Sequence, residues 1–146
     1  MEQTGGYDFY IASPFFNEEE LENVKYVEQL LDQRGYSYFS PRLHEVDAEP
    51  GTDEWARKIF EIDIKAADVS CAMLVIYYGT NSDSGTAFEQ GRFFETGRPV
   101  VVVHASRDAV ANLMNTCGAT TNVFLDELGT FDLDSLPVHS FKGELT

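Results

Sequence analysis

Hydrophobic positions in this chain alternate between two spacings, and the alternation predicts the order of its secondary structure. Strands are predicted at residues 7–12, 36–40, 69–78, 100–104 and 122–125, and the runs at 69–78 and 100–104 are continuously apolar, as in strands buried on both faces of a sheet. Between these strands, apolar residues recur every three or four positions, which is typical of helices that bury one face. The third and fourth helical stretches cover residues 84–97 and 109–114. The sequence therefore predicts alternating strands and helices.

Capping residues locate the first two helices. Asn17 followed by Glu20 indicates the start of the first helix, which ends at Gly35. Thr52 is a suitable cap for the second helix. We expect that helix to bury one stripe, formed by Trp55, Ile59, Ile62 and Ala66.

Alternating strands and helices imply a parallel sheet with right-handed crossovers. Five strands favour an α/β three-layer sandwich with a flavodoxin-like, doubly wound sheet of order 2-1-3-4-5, in a single domain over residues 1–146. We expect residues 1–6 to form a flexible extension. Residues 126–146 are predicted to form turns, with one helical turn around Leu133 and Leu136.

Ligands of such sheets bind at the carboxyl ends of the strands, where the strand order reverses between strands 1 and 3. Three predicted loops end there, and they cover residues 12–17, 79–84 and 105–112. We therefore expect a pocket between these loops.

Charge and composition exclude several partners. The chain has 10 basic and 25 acidic residues, so its formal net charge is 10 − 25 = −15. This charge argues against nucleic-acid polymers and anionic membranes as partners. No apolar run is long enough to span a bilayer, no signal peptide is recognisable, and Cys71 and Cys117 suggest no disulfide framework. We expect a reduced, cytoplasmic location.

Several chemistries lack their sequence signatures. The loop after strand 1 has neither the glycines nor the lysine of a phosphate-binding loop, and no Gly-x-Ser-x-Gly elbow occurs. His44, His104 and His139 are scattered, and no His or Cys pair has the spacing of zinc ligands. We expect neither a metal nor a cofactor.

The segment after the third strand carries the most informative candidates. Asp83 and Glu89 lie in and just after the first turn of a helix, whose N–H groups and dipole favour ionised carboxylates. Tyr10 ends the first strand, and Asp63 lies beside the apolar stripe of the second helix. Carboxylates converging in an aromatic-lined cleft suit glycosidic bond chemistry. The simpler interpretations are a helix cap for Asp83, surface acids for Glu89 and Asp63, and a core aromatic for Tyr10.

Five segments together resemble the nucleoside 2-deoxyribosyltransferases. The most specific is Asp83-Ser84-Gly85-Thr86-Ala87-Phe88-Glu89-Gln90-Gly91. The others are Phe9-Tyr10-Ile11-Ala12-Ser13-Pro14-Phe15-Phe16-Asn17, Phe39-Ser40-Pro41-Arg42, Asp63 with Ala67-Asp68, and Asn112-Leu113-Met114. Because all five keep the order found in the family, the resemblance extends over most of the chain.

The resemblance implies an activity and four catalytic roles. A 2-deoxyribosyl group moves between nucleobases with retention and ping-pong kinetics, through a covalent intermediate on the nucleophile Glu89, as part of nucleoside salvage. Tyr10 orients Glu89, Asp63 exchanges a proton with the base, and Asp83 contacts the sugar and base. The expected partners are 2′-deoxynucleosides and free nucleobases.

The resemblance also implies substrate contacts and a homo-oligomer. Phe16 and Gly85 correspond to substrate-binding positions. Asn112 corresponds to a residue that holds the sugar 5′-hydroxyl in a neighbouring subunit's site, with Met114 beside it. A dimer, tetramer or hexamer is therefore expected.

Two segments depart from the family pattern. Residues 42–47, which would contact the base, match poorly, and His44 and Glu45 are the candidates there. Some family members end in an aromatic residue whose carboxylate enters a neighbouring site, whereas this chain ends in Thr146.

Two other functions are considered. A 2′-deoxynucleoside 5′-monophosphate N-glycosidase has a related fold and glutamate, but residues 14–20 are apolar and then acidic where a phosphate would need basic groups. A nucleoside-binding module is the non-enzymatic alternative.

Overall fold

The computed structural model describes residues 6–146, in which five strands form one all-parallel sheet. The strands, named β1 to β5 in chain order, cover Tyr7–Ala12, Tyr38–Phe39, Ser70–Tyr77, Val100–His104 and Thr121–Phe124. Their order is β2-β1-β3-β4-β5, with parallel pairing throughout. The predicted α/β fold and strand order are therefore confirmed. The extension expected over residues 1–6 lies outside the described residues, apart from Gly6.

Helices α1 to α4 connect the strands and cover Glu18–Gln33, Asp53–Asp68, Ser84–Glu95 and Leu113–Cys117. The predicted caps of α1 and α2 are confirmed: Asn17 Oδ1 accepts the N–H of Glu20 at 2.9 Å, and Thr52 Oγ1 accepts that of Trp55 at 3.2 Å. The Glu20 carboxylate accepts the N–H of Phe16 rather than that of Asn17. Within residues 6–146, none of the helices combines the length and apolar character needed to cross a bilayer.

The sheet separates two apolar layers, because successive side chains of a strand point to opposite faces. On one face, Leu74 of β3 packs in a cluster with Val27 of α1. On the other, Val75 packs in a cluster with Ala67 of α2 and Phe93 of α3. Helices α2 and α3 thus lie together on one face of the sheet, opposite α1.

The fourth helix is displaced from its predicted position, since it covers Leu113–Cys117 rather than residues 109–114. The backbone of Ala111 pairs with the C-terminal segment instead of entering a helix. Its N–H donates to the carbonyl of Glu144 at 2.9 Å, and its carbonyl accepts the N–H of Thr146 at 2.9 Å. This pairing between distant parts of the chain prevents a helix from starting earlier.

Two further boundaries differ from prediction. The second strand is Tyr38–Phe39 rather than residues 36–40, whereas the other strands begin and end within one residue of prediction. The helical turn lies at Leu125–Thr130, not around Leu133 and Leu136. Leu133 is buried in the α1 layer, and Leu136 has a positive φ of 40°, which is incompatible with a right-handed helical turn.

The predicted buried stripe of α2 is only partly correct. Ala66 is buried, but Trp55, Ile59 and Ile62 are half-buried. Trp55 and Ile59 line a cavity rather than the core. The apolar stripe therefore lines a cavity over its first half and packs on the sheet at its end.

Candidate active site

Residues from α2 and α3 enclose a cavity of about 290 Å³ near the carboxyl ends of β1 and β3, beside the reversal of strand order. Its lining consists of Trp55, Ala56, Ile59, Phe60, Asp63, Ile64, Gly85, Phe88 and Glu89. None of these residues belongs to the three predicted loops, so this cavity lies between α2 and α3 and not, as expected, between residues 12–17, 79–84 and 105–112. The lining is apolar and aromatic, with two carboxylates and no basic side chain among the residues described around it.

Tyr10 and Glu89 form the central contact of the site. Tyr10 lies on β1 with no solvent exposure, and its hydroxyl donates a hydrogen bond to Glu89 Oε2. Burial, followed by the negative charges of Glu89 and Asp63, raises the pKa of Tyr10. The hydroxyl therefore stays protonated and acts as a donor to the carboxylate.

The environment of Glu89 keeps its carboxyl only partly ionised at neutral pH. Burial raises the pKa of Glu89 to about 7. The hydrogen bond from Tyr10 lowers this pKa, while the charges of Asp63 and Asp83 raise it. Glu89 consequently becomes fully ionised only above neutral pH, and Tyr10 is the group that favours its charged form.

Asp63 presents a second carboxyl to the same cavity. It lies half-buried on α2, and this burial raises the pKa of Asp63 to about 6. A fraction of Asp63 is therefore protonated near neutral pH. A group of this kind can deliver or accept a proton, as general acid–base catalysis requires.

Asp83 caps α3 just before the cavity. Its Oδ2 accepts the N–H of Thr86 at 2.8 Å and the hydroxyl of Thr86 at 3.0 Å. A Cβ on Gly85 would lie 3.1 Å from the same oxygen, so glycine leaves room beside the cap. The capping interpretation of Asp83 is thus confirmed, and its charge also acts on Glu89.

Asn112 and Met114 lie at a different cavity, of about 580 Å³, between α3 and α4. The side chain of Asn112 accepts the N–H of Met114 at 2.8 Å and caps α4. Met114 is 75% exposed. Within one chain, neither residue lines the cavity that contains Glu89. Phe16 does not line it either, since this 77% exposed residue stacks on Phe15.

Sequence reasoning missed a polar pair that joins α3 to α4. Gln90 Nε2 donates to the carbonyl of Asn115 at 2.8 Å, and the Asn115 side-chain amide donates back to Gln90 Oε1 at 2.9 Å. Gln90 is 3% exposed. A polar residue on the inner side of a predicted helix is the only signal for this pair in the sequence.

The aromatic walls of the cavity were also missed. Phe60 and Phe88 lie opposite each other on α2 and α3, with ring centroids 6.3 Å apart, and both are more than half exposed. Phe60 lies outside the stripe predicted for α2, and no buried stripe was predicted for α3. Within residues 6–146, no group of three or more His, Cys, Asp or Glu side chains is arranged to hold a metal ion.

The comparisons agree with the resemblance seen in the sequence. The profile of the family described as nucleoside 2-deoxyribosyltransferase matches residues 9–132. A 2-deoxyribosyltransferase from the psychrotolerant bacterium Bacillus psychrosaccharolyticus superposes with a TM-score of 0.83 at 31% identity, covering 91% of this chain and 98% of that one. No curated protein sequence matches significantly.

Two more distant structures share the fold. A conserved protein from Enterococcus faecalis V583 has a TM-score of 0.58 at 22% identity, covering 70% of this chain and 65% of that one. A 2-deoxyribosyltransferase from Leishmania mexicana has a TM-score of 0.56 at 18% identity, covering 94% of this chain and 81% of that one.

Proposed function

Because this chain belongs to the nucleoside 2-deoxyribosyltransferase family, we propose that it moves a 2-deoxyribosyl group between nucleobases in the cavity between α2 and α3. The observation that carries the proposal is the hydrogen bond from Tyr10 to Glu89, formed where Asp63 faces the same cavity. These are the three positions that the family resemblance links to nucleophile orientation, attack and proton exchange.

In the first half-reaction, the Glu89 carboxylate attacks C1′ of a 2′-deoxynucleoside. A C1′–O bond forms, the C1′–N bond breaks, and its electron pair leaves with the base. Asp63 gives a proton to the departing base, which makes it a better leaving group. The Tyr10 hydroxyl keeps the Glu89 carboxylate in one orientation throughout.

In the second half-reaction, a new base attacks C1′ from the side that the first base left. The C1′–N bond forms, the C1′–O bond to Glu89 breaks, and Asp63 takes the proton that the incoming base loses. Two inversions give net retention, and the first product leaves before the second substrate reacts, so the kinetics are ping-pong.

The lining of the cavity supports uncharged substrates. Asp63, Glu89 and the neighbouring Asp83 form an acidic site, and no basic side chain among the described lining residues could neutralise a phosphate. Deoxynucleosides and free bases fit this environment better than deoxynucleoside monophosphates do. We assign the protein to nucleoside salvage in the cytoplasm.

We further propose that a neighbouring subunit completes each site. Asn112 and Met114 lie outside the Glu89 cavity of their own chain, and Met114 is largely exposed. In a homo-oligomer, Asn112 of the partner would hold the 5′-hydroxyl of the sugar, and Gly85 and Asp83 would contact the substrate within the chain. Because Phe16 does not line this cavity, we propose no substrate contact for it there.

The test is chromatography of 2′-deoxyinosine, 2′-deoxyuridine and adenine incubated with wild-type protein, Glu89→Gln and Glu95→Gln. Glu95 is an exposed residue of the same helix and serves as the matched control. We expect 2′-deoxyadenosine from wild type and Glu95→Gln, but not from Glu89→Gln. Free bases without 2′-deoxyadenosine would identify a hydrolase, and unchanged donors would contradict the proposal.

A further inference from the structure

The turn that follows β2 is anchored to a buried carboxylate. Glu28 of α1 is 5% exposed, and its Oε2 accepts the Ser40 hydroxyl at 2.6 Å and Arg42 Nε at 2.9 Å. Arg42 also bonds through Nη2 to the second oxygen of Glu28. A two-pronged guanidinium–carboxylate pair fixes orientation as well as distance. The turn over Pro41–Leu43 is therefore held in a single position.

His44 follows the anchored turn and forms a stack of three nearly parallel rings with Phe39 and Tyr10. The rings of His44 and Phe39 have centroids 4.0 Å apart and an interplanar angle of 13°. Those of Phe39 and Tyr10 are 5.7 Å apart at 8°. Phe39 is 2% exposed, whereas His44 is half-buried and closes the outer end of the stack. The inner end is the phenol that bonds to Glu89.

From this arrangement we infer that Phe39 and His44 are positioning residues for Tyr10, and that the Glu28–Arg42 pair holds them against it. This inference rests on the proposed role of Glu89. A phenol ring can tilt out of its plane of packing, and such a tilt moves its hydroxyl away from the carboxylate. Flat contacts on the ring restrict that motion, so the stack maintains the hydrogen bond from Tyr10 to Glu89.

The stack therefore acts on the ionisation of Glu89 through one group only. The titratable groups that act on Glu89 are Tyr10 from β1, Asp63 from α2 and Asp83 at the start of α3. Only the hydrogen bond from Tyr10 lowers the pKa of Glu89. Loosening the stack weakens that bond, so the pKa of Glu89 should rise.

The test is a pH titration of substrate-free protein labelled with ¹³C at the glutamate side-chain carboxyl, followed by NMR. The Glu89 signal is identified by its absence in Glu89→Gln. We expect Tyr10→Phe to raise its midpoint by about one pH unit and His44→Ala by about half a unit. His44→Phe keeps a flat ring and removes the titratable imidazole, so its midpoint should equal that of wild type.

Two comparisons make the test decisive. In the Tyr10→Phe background, His44→Ala should cause no further shift, because the bond through which it acts is already absent. Leu43→Ala changes an exposed residue of the same turn and should leave the midpoint unchanged. A His44→Ala midpoint equal to wild type, or a shift that persists without the Tyr10 hydroxyl, would overturn the inference.

The same variants separate this inference from the proposed function. The titration needs no substrate, so an absence of transfer in wild type would contradict the function without altering the NMR result. If transfer occurs, His44→Ala should lower its maximal rate and move the alkaline limb of its pH profile upward, whereas His44→Phe should match wild type in both. A profile unmoved in both, despite a shifted NMR midpoint, would show that the stack has no part in the reaction.

Discussion

At the scale of single residues, the surroundings of Glu89 have opposite effects on the ionisation of its carboxyl. Burial and two nearby carboxylates disfavour the charged form of Glu89, and only the Tyr10 hydroxyl compensates. A buried, partly compensated carboxyl destabilises the folded state when it is ionised. The same property suits the proposed attack, because the Tyr10 hydroxyl is the one group described as donating to the carboxylate.

Glu89→Gln is therefore expected to stabilise the protein at high pH. The pKa of Glu89 is about 7 in the folded state and 4.5 in the reference state, so the folded state binds the proton more tightly. The tighter binding of this proton stabilises the folded state fully below pH 4.5, and that stabilisation is lost as the pH rises to about 7. The amide avoids that loss, which we put at about 1–3 kcal/mol at pH 8.

Thermal unfolding measures this effect. Glu89→Gln should raise the unfolding temperature at pH 8 by about 3–8 °C, and the difference should shrink toward zero as the pH falls to 4.5. The exposed Glu95→Gln provides the baseline on the same helix. A stabilisation that is equal at both pH values would disprove the ionisation argument.

In the proposed mechanism, the pH dependence of transfer follows from the ionisation of Glu89 and Asp63. Attack needs ionised Glu89, and base departure needs protonated Asp63, whose pKa values are about 7 and about 6. The rate should therefore fall below pH 6 and above pH 7. Asp63→Asn should lower kcat about 10²–10⁴-fold and abolish the alkaline limb. Steady-state kinetics from pH 5 to 9 test this, and an unchanged alkaline limb would exclude Asp63 as the proton donor.

At the scale of elements, the first turn of α3 serves structure and site together. Asp83 caps the helix through Thr86, and the loop that leads into it connects β3 to the cavity. The carboxylate oxygen that accepts the cap is also the one that Gly85 leaves uncovered. The helix start and the proposed substrate contact thus depend on one side chain.

Two substitutions of Asp83 should separate its roles. Asp83→Asn keeps a capping oxygen and should leave stability nearly unchanged, whereas Asp83→Ala should cost about 1 kcal/mol of unfolding free energy. Both should lower transfer, because both remove the carboxylate that we propose contacts the sugar and base. Urea unfolding and activity, measured on the same preparations, distinguish the effects. Full activity in Asp83→Asn would leave Asp83 with a capping role alone.

The sequence is sufficient to predict those elements that local patterns determine. The apolar runs of β3 and β4 are long and continuous, and the caps at Asn17 and Thr52 lie at the boundaries of helices. The start of α4 could not be predicted, because Ala111 pairs with a segment more than 30 residues further along the chain. Local periodicity contains no information about such a partner.

Only those parts of the candidate site that lie in one local segment could be predicted from the sequence. Asp83 and Glu89 lie within one short segment whose spacing is visible in the sequence. The half-buried Trp55 and Ile59 were assigned to the core, because a stripe that lines a cavity has the same spacing as one that packs on a sheet. The burial of Glu28 is likewise invisible, since it depends on Arg42 folding back onto α1.

At the scale of the whole molecule, α3 separates two cavities and is joined to α4. Glu89 faces one cavity and its neighbour Gln90 the other, where Gln90 forms a reciprocal pair with Asn115. The segment carrying Asn112 is therefore attached to the helix that carries Glu89. In the proposed oligomer, each chain supplies Glu89 to its own site and Asn112 to that of its partner.

Mixing two defective variants tests this arrangement. Glu89→Ala lacks the nucleophile and Asn112→Ala lacks the 5′-hydroxyl contact, so each alone should be nearly inactive. Subunits exchanged between them should regain about a quarter of wild-type activity, the value for random dimers in which one site is complete. Glu89→Ala mixed with Glu89→Gln is the control. A monomer by light scattering, or no recovery after subunit exchange, would contradict a shared site.

The acidic lining of the α2–α3 cavity also determines how the reaction should respond to ionic strength. A neutral deoxynucleoside is neither attracted nor repelled at long range, so its kcat/KM should stay constant as salt is added. A deoxynucleoside monophosphate approaches against the field of a chain with a net charge of −15. Added salt screens that field, so any reaction with the monophosphate should become faster at high ionic strength. Discrimination between the two substrates is therefore a property of the solution as well as of the cavity, and dilute buffer should give the sharpest selection.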